Sequence, residues 1–346
     1  LTRTAESPAV MQAYEAIQPD DHAKYLLTSG STGHPKVVVN THRMLCANQQ
    51  MIAQAWRFLD QEKPVVLDWL PWSHTFGGNH NLNLVLRNGG ALYIDRGRPA
   101  PGLLDVTLRN LAEVGPTLWF NVPRGFDQAV AALERDGDLA RAALRRLRVL
   151  FYAAAALGAA TRARLEAVAR AAGNGGVFFT SAWGSTETSP LATSAHFPTE
   201  TTGVLGVPVP GVRIKLARRD DRLELRVQGP NVTPGYWQRG GAVAPIELDG
   251  DGFLPTGDAG RLVDPARPEA GVACAAAVGC IDGVVLHEGP GLQRCQAARP
   301  ILVRRGDGAV VCFDVQRFEA VNNSTSSHKR PPENVSTIFT PVSARR

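Results

Sequence analysis

Lysine is scarce in this chain, which has only five in 346 residues, so nearly all of its positive charge is arginine. No apolar run approaches the roughly 20 residues that a membrane-spanning helix needs. Basic side chains are not concentrated either. Residues 1–265 carry 27 basic and 25 acidic groups, and residues 266–346 carry 10 and 7. That balance excludes the basic stripe a nucleic-acid binder requires. No CxxC pair occurs: Cys46 stands alone in the first 265 residues, and Cys274, Cys280, Cys295 and Cys312 are widely spaced. A zinc site is therefore not expected, and a reduced, cytoplasmic protein is. The opening LTRTAESPAV lacks the basic start and apolar stretch of a signal peptide. It begins on Leu, as a fragment would. Internal repeats are absent.

What remains is a core-forming composition, 44% hydrophobic and 20% charged. It suits two ordinary domains or one large α/β domain with an appendage. Short apolar runs at Lys24–Thr28, Val37–Val39, Val65–Leu70, Ala91–Ile94, Thr117–Asn121, Leu147–Tyr152 and Gly176–Thr180 read as strands. Thr41 can cap a helix in which Met44, Asn48, Met51, Ala55 and Phe58 recur at helical spacing. Further helices are expected over Leu103–Val114, Phe126–Arg135 and Ala159–Ala172. This alternation predicts an α/β fold with a mostly parallel sheet layered with helices over residues 1–202. Ligands of such sheets lie at the carboxyl ends of the strands. From residue 203 to 265 the texture becomes β-rich, with an antiparallel hairpin of Val212–Ala217 and Leu223–Gln228. Residues 266–346 lose all periodicity, and an irregular or disordered tail is expected there.

The strongest local signal is Thr28-Ser-Gly-Ser-Thr-Gly-His-Pro-Lys36. Gly30 and Gly33 let the backbone turn tightly and point N–H groups inward. Hydroxyls of Thr28, Ser29, Ser31 and Thr32 surround them, and Lys36 supplies one mobile cation. The string reads as a polyphosphate cradle; the plainer alternative is a flexible Gly/Ser turn between two strands. It is not the Walker pattern, because GxxxxGK[ST] cannot be aligned on either glycine.

The string TSGSTGxPK resembles the phosphate-loop signature of the acyl-adenylating (AMP-binding) enzymes, which include acyl-CoA synthetases, adenylation domains and luciferases. Later segments keep that family's order: WSHTFGGNH at 72–80, AWGSTETSP at 182–190, GVLGVPVPG at 203–211 and LPTGD at 254–258. The resemblance covers about residues 20–265. Within the family, wording such as DWLPWSHTFGGNHN and GPNVTPGYW is most similar to feruloyl-CoA synthases.

The resemblance implies a two-step reaction, in which a carboxylate attacks the α-phosphate of ATP and the CoA thiol then displaces AMP. It implies ATP, Mg²⁺ and CoA, with an aryl or hydroxycinnamic acid as substrate. Thr28, Ser29, Gly30, Ser31, Thr32, Gly33 and Lys36 would hold the β- and γ-phosphates. Thr186 would hydrogen-bond the α-phosphate, and Glu187 would be the magnesium ligand. Trp183 stands where the family has an aromatic against adenine, with Gly184 and Ser185 beside it. Asp258 matches the ribose-binding carboxylate. His74 matches the pocket histidine between the acyl and nucleotide sites. Ala154 stands where the family has Gly, an extra methyl at a close contact. Trp72 and Phe76 are candidate acyl-pocket walls, as are Trp119 and Phe120, for which a core role is preferred. Taken alone, Glu187 reads as a solvated loop acid, Asp258 as a turn residue and His74 as an ordinary surface or core histidine.

The chain also departs from the family. No hinge Gly-Arg follows TGD at the expected place, and the later catalytic lysine has no match, since Lys329 lies in HKRPP. Residues beyond about 270 are expected to be a frameshifted or unrelated reading. The expected function is acid activation impaired by truncation, and the alternative is a catalytically inactive nucleotide-binding fragment. A carrier-loading adenylation domain ranks lower, because no carrier attachment segment follows.

Overall fold

The computed structural model describes residues 7–28, 35–153, 157–197, 204–267 and 270–274, and the backbone of 301–305 and 308–312. Helix α1 (Pro8–Glu15) precedes the hairpin β1 (His22–Thr28) and β2 (Lys36–Thr41). Thr41 caps α2 (His42–Ala55), its hydroxyl accepting from Met44 N–H at 3.3 Å, as a threonine before an apolar-periodic run should. The chain continues through β3 (Val65–Asp68), a π-helical turn over Thr75–Leu82, α3 (Asn83–Asn88) and β4 (Ala91–Ile94). Then come α4 (Leu104–Val114), β5 (Leu118–Asn121), α5 (Pro123–Arg135), α6 (Gly137–Leu144), β6 (Val149–Tyr152), α7 (Ala159–Ala171) and β7 (Phe178–Gly184). Helix α5 starts earlier than its apolar period suggests because Pro123 suits the first helical position. Periodicity alone missed α6, which is short and is capped by the Asp136 carboxylate.

Strands β3 to β7 run parallel, in the order β4-β3-β5-β6-β7. Their sequences are apolar without alternation because both faces are covered. Neighbouring residues point to opposite faces, and two cores result. Val66, Phe120, Phe151 and Phe178 pack with Ile52, Trp56, Leu84 and Phe76 on one side. Leu67, Trp119, Leu150 and Phe179 pack with Leu111, Phe126, Leu133 and Leu165 on the other. Trp119 therefore belongs to the core under α4, α5 and α7, its ring 4.9 Å from Phe126. Phe120 is likewise a core residue, fully buried.

After β7 the chain reverses into β8 (Leu191–Ser194) and β9 (Val204–Pro208), and antiparallel pairing takes over. Strands β10 (Arg213–Arg219) and β11 (Arg222–Gln228) form the expected hairpin. Next come β12 (Gly235–Trp237), β13 (Val243–Pro245), β14 (Leu254–Leu262) and β15 (Val272–Cys274). All but β12 and β13 extend the parallel strands into one 11-stranded sheet, ordered β10-β11-β14-β15-β9-β8-β7-β6-β5-β3-β4. The α/β class and its layering match the expectation. The sheet is mixed, however, and its parallel character is confined to β3–β7, because the tight turn after Gly184 sends the chain back beside its own strand. Strand β12 instead pairs with β2, Tyr236 opposite Val38, in a separate four-stranded sheet β1-β2-β12-β13.

Past residue 265, β15 joins the large sheet, and β16 (Ile301–Arg305) and β17 (Gly308–Cys312) pair as a hairpin. The rest of the expected irregular tail lies outside the described residues. Cys46 is an exposed free thiol, while Cys274 is disulfide-bonded, a departure from the fully reduced chain expected above. Among the described residues no helix is long and apolar enough to cross a membrane.

Candidate functional site

The sheet changes from parallel to antiparallel at the carboxyl end of β7, and a cavity of about 620 Å³ opens there. Thr28 and Lys36, from the two ends of the glycine-rich loop, lie on its wall. So do His74, Phe76 and His80 from the π-helical turn, Trp183 to Glu187 from the β7–β8 turn, Tyr236 from β12 and Leu254 to Gly257 from β14. Segments more than 200 residues apart in sequence thus meet around one space. Ser29, Gly30, Ser31, Thr32 and Gly33 lie outside the described residues, as does Ala154. Trp72 is largely exposed and lies off the wall, as do Trp119 and Phe120; of the four candidate acyl-pocket aromatics only Phe76 lines the cavity.

The turn carrying Thr186 and Glu187 is short and polar, yet it is held firmly from below. Two buried amides converge on it. Asn48 from α2 donates to Leu191 O at 2.9 Å, and Asn231 donates to both Thr188 O and Leu191 O at 2.9 Å. Thr233 N–H donates to Glu187 O at 2.9 Å. These bonds tie carbonyls of the turn and of the start of β8 to side chains and backbone from other elements. Tyr236 O–H donates to Glu187 Oε1 at 3.1 Å. Burial, and then the Glu187 carboxylate beside it, push the Tyr236 phenol upward, so it stays a donor at neutral pH. Lys36 Nζ rests 4.8 Å from the centre of the Tyr236 ring, a cation–π contact that holds the ammonium beside the carboxylate turn.

Opposite stands the β14 segment. Asp258 is just behind the wall formed by Thr256 and Gly257, and its Oδ2 accepts from the indole Nε1 of Trp183 at 2.9 Å. Burial raises the Asp258 pKa, opposed by that hydrogen bond and reinforced by Glu187 and Glu224 nearby. Trp183 is itself 2% exposed, so the ring serves as a wall of the cavity and as the anchor of Asp258. The bend at Gly257 is set by Glu224, a carboxylate only 1% exposed. It accepts from Gly257 N–H at 3.0 Å, Arg219 at 2.9 Å and Arg226 at 2.9 Å.

His74 lies at the rim. It caps the π-helical turn, with Nδ1 accepting from Phe76 N–H at 3.2 Å, so Nε2 carries the proton. Partial desolvation lowers its pKa, which keeps the ring neutral in neutral solution. The glycines after it have a steric purpose: a Cβ on Gly78 would come within 2.2 Å of Trp72 O. Deeper in, His80 is completely buried, and burial depresses its pKa to about 4. Its Nδ1 is 2.9 Å from Asn81 Oδ1, and Asn81 Nδ2 donates to Asp68 Oδ2 at 2.9 Å.

Burial raises Asp68 from the ordinary 3.8 to about 6, against the hydrogen bonds from Asn81 and Leu70 N–H. Between these values the folded chain keeps a proton that the unfolded chain has lost. Folding stability from this group is therefore full below about pH 4 and declines as pH rises through 6, by about 3 kcal/mol for two units. Asp68→Asn removes that slope. Urea unfolding at pH 4 and pH 7 should show the variant-minus-parent stability shifting in the variant's favour by roughly 2–3 kcal/mol. The opposite titration of His80 is common to both proteins and cancels in this difference. A difference that does not move with pH would contradict the buried carboxylate.

A cavity at a strand-end crossover, with Thr28, Lys36 and a carboxylate turn on its wall, is where α/β proteins of this class place their ligands. The chain belongs to the AMP-binding enzyme family, whose model matches residues 2–237. It is 30% identical over 249 residues to the long-chain-fatty-acid–CoA ligase of Salmonella typhimurium, covering 69% of this chain and 42% of that protein. It is 29% identical over 276 residues to 4-coumarate–CoA ligase 1 of Arabidopsis thaliana, covering 75% and 46%. Among solved structures it is similar to a malonyl-CoA ligase ternary product complex with methylmalonyl-CoA and AMP bound. That match has a TM-score of 0.60 and 27% identity, over 83% of this chain and 55% of the other. Apo MatB from Rhodopseudomonas palustris matches with a TM-score of 0.59 and 26% identity, over 74% and 48%. The chain spans about half the length of these relatives.

Sequence reasoning singled out His74, Trp183, Gly184, Ser185, Thr186, Glu187, Thr28 and Lys36, and these share the cavity. Asp258 is adjacent to it through Trp183. It gave no part to Tyr236, His80, Asn48, Asn231 or Glu224. Tyr236 was within reach, since it lies in the motif wording GPNVTPGYW. Asn48 was marked only as one position of a helical stripe. A buried amide and a surface one look alike in sequence.

Proposed function

We propose that this chain carries the nucleotide and acid sites of an ATP-dependent, AMP-forming acid–CoA ligase, with an aryl acid of the hydroxycinnamic (feruloyl) type as substrate. The observation that carries the reading is the meeting of four separate segments on one cavity wall: Thr28 with Lys36, His74, Thr186 with Glu187, and Thr256 with Gly257. In this reading the loop from Thr28 to Lys36, including Ser29, Gly30, Ser31, Thr32 and Gly33, cradles the β- and γ-phosphates. Thr186 donates to the α-phosphate. Trp183, Gly184 and Ser185 form the wall against adenine, and Asp258 takes the ribose hydroxyls through the oxygen not bound to the indole. His74 donates from Nε2 to the incoming carboxylate.

The residues present fit one Mg²⁺ ion. Glu187 offers a hard carboxylate beside the phosphate loop, with Tyr236 fixing its orientation from one oxygen. A single carboxylate plus phosphate oxygens suits magnesium, which keeps several waters. When bound, the ion neutralises phosphate charge. The acid oxygen attacks the α-phosphorus, the α–β bridging P–O bond breaks, and pyrophosphate leaves with the electron pair. The CoA thiol then attacks the acyl carbon, its proton is lost, and AMP departs. The protein's contribution is alignment and preorganised charge.

ATP–pyrophosphate exchange in the presence of ferulate tests the first step. Exchange supports the ligase, whereas ATP binding without exchange supports a nucleotide-binding fragment. Lys36→Ala should weaken ATP binding roughly 10–100-fold, the effect of one charge-assisted contact to phosphate. Unchanged ATP affinity by calorimetry would refute the cradle.

A further inference from the structure

Asp258 does not sit in regular strand. Between β11 and β14, Glu224 pairs with Ala259 and Arg226 with Pro255, so Thr256, Gly257 and Asp258 all stand against the single residue Leu225. A bulge of this kind re-aims a side chain, and its surplus backbone groups need partners of their own. Thr256 O–H donates to Leu225 O at 2.7 Å, and Asp258 N–H donates to Thr256 Oγ1 at 3.2 Å. The amide between them, Gly257 N–H, reaches across to Glu224 Oε1 at 3.0 Å. Gly257 has φ of 82°, a conformation open chiefly to glycine.

A carboxylate is a costly partner for that amide. Glu224 lines the cavity and is nevertheless 1% exposed, and burying a charge is unfavourable unless it is paired and hydrogen-bonded. Two arginines meet that condition. Arg219 donates to Oε1, the same oxygen that takes Gly257, and Arg226 donates to Oε2, each at 2.9 Å. Arg226 is fixed in turn by Asp249 Oδ2 at 2.8 Å. The carboxylate is therefore gripped at both oxygens and cannot turn without breaking a charge-assisted bond. Ala217, directly opposite on β10, leaves room for the long side chain.

We propose that Glu224, clamped by Arg219 and Arg226, is a positioning residue of the nucleotide site: it fixes the Thr256–Asp258 bulge so that Asp258 meets the ribose hydroxyls, and thereby sets this chain's preference for ribonucleotides. The proposal rests on reading Asp258 as the ribose carboxylate. Trp183 holds that carboxylate by one oxygen from the side. Glu224 holds the backbone beneath it, and neither anchor alone defines where the free oxygen points.

The test is calorimetric binding of AMP and of 2′,3′-dideoxy-AMP to the full chain. The parent is expected to prefer AMP by roughly 10–100-fold, the worth of hydrogen bonds to a charged group. Asp258→Ala should bring that ratio to about one, as should loss of the bond that places it. Glu224→Ala should therefore lower the ratio nearly as far, while affinity for the dideoxynucleotide stays at the parent's. A merely structural role would weaken both nucleotides together. Glu224→Gln can keep an oxygen on Gly257 N–H while Arg226 retains Asp249, and should recover part of the preference. Arg219, with 52% of its side chain exposed, can be replaced by alanine without opening the core, and Arg219→Ala should lower the ratio severalfold. If Glu224→Ala does not fold, Arg219→Ala decides alone.

A ratio unchanged in these variants would overturn the proposal while leaving Asp258 in place. So would a glutamine variant no better than alanine. If AMP binds with no ribose preference, or the preference survives in Asp258→Ala, the ribose assignment fails and takes the proposal with it. If AMP does not bind, the reading of the cavity fails as well.

Discussion

Glu187→Ala is expected to lower ferulate-dependent ATP–pyrophosphate exchange by roughly 10²–10³-fold, the usual consequence of losing one preorganised charge contact in a transition state. The side chain sits on a turn pinned by Asn48, Asn231 and Thr233. Its removal therefore leaves the backbone in place and deletes only the carboxylate. Tyr236 then loses its acceptor, a smaller effect. A second readout does not depend on turnover: Mg²⁺ should tighten ATP binding to the parent chain and have little influence in Glu187→Ala. Undiminished magnesium linkage in the variant would remove Glu187 from the metal site. Glu187→Gln separates charge from shape, because it keeps an oxygen for Tyr236 and loses the negative charge.

The other large effect concerns the turn itself. Gly184→Ala is expected to destabilise the fold by about 3 kcal/mol or more, at the upper end for forcing atoms into a packed site. A Cβ there would stand 1.7 Å from Pro190 O and 2.8 Å from Thr188 Oγ1. Neither can yield, since Thr188 is buried and Gly184 pairs with Leu191 across the β7–β8 register. Such a loss is a large share of a typical domain's stability of about 5–15 kcal/mol. Chemical denaturation should show it directly. Gly176→Ala is the control, because a Cβ there meets nothing within 4 Å. Equal stability of the two variants would mean that the turn is looser than described.

Both effects trace to a stretch whose position was visible in the sequence and whose mechanics were not. The string AWGSTETSP marked Trp183 to Glu187 as a site segment. Nothing in it announced that the strand runs on to Gly184 and folds back on itself, or that the amides holding the turn come from Asn48 and Asn231. Buried amides are chosen by three-dimensional neighbours, and a lone Asn in a helical stripe carries no mark of them. The parallel sheet expected over residues 1–202 is found in β3–β7, but its continuation into one mixed sheet was not legible, for a related reason. Strand–helix alternation specifies β3–β7 well, but which edge the following strands join is decided by the direction in which one tight turn releases the chain.

The same division separates His74 from His80. Both lie in WSHTFGGNH, and the first was assigned by its place in that string. The second differs only through Asp68 and Asn81, which together set its tautomer, and through the aromatic rings that exclude water from it.

The sequence by itself determined the α/β class, the family, the apolar strands with their helical cover, and the list of segments that carry chemistry. These are local properties, written in periodicity, turn residues and short motifs. Only the tertiary structure decided that those segments converge on one cavity, that Trp183 holds Asp258 and that Tyr236 holds Glu187. Such facts depend on distances between residues far apart in the chain, and packing fixes those distances only once both faces of the sheet have been covered.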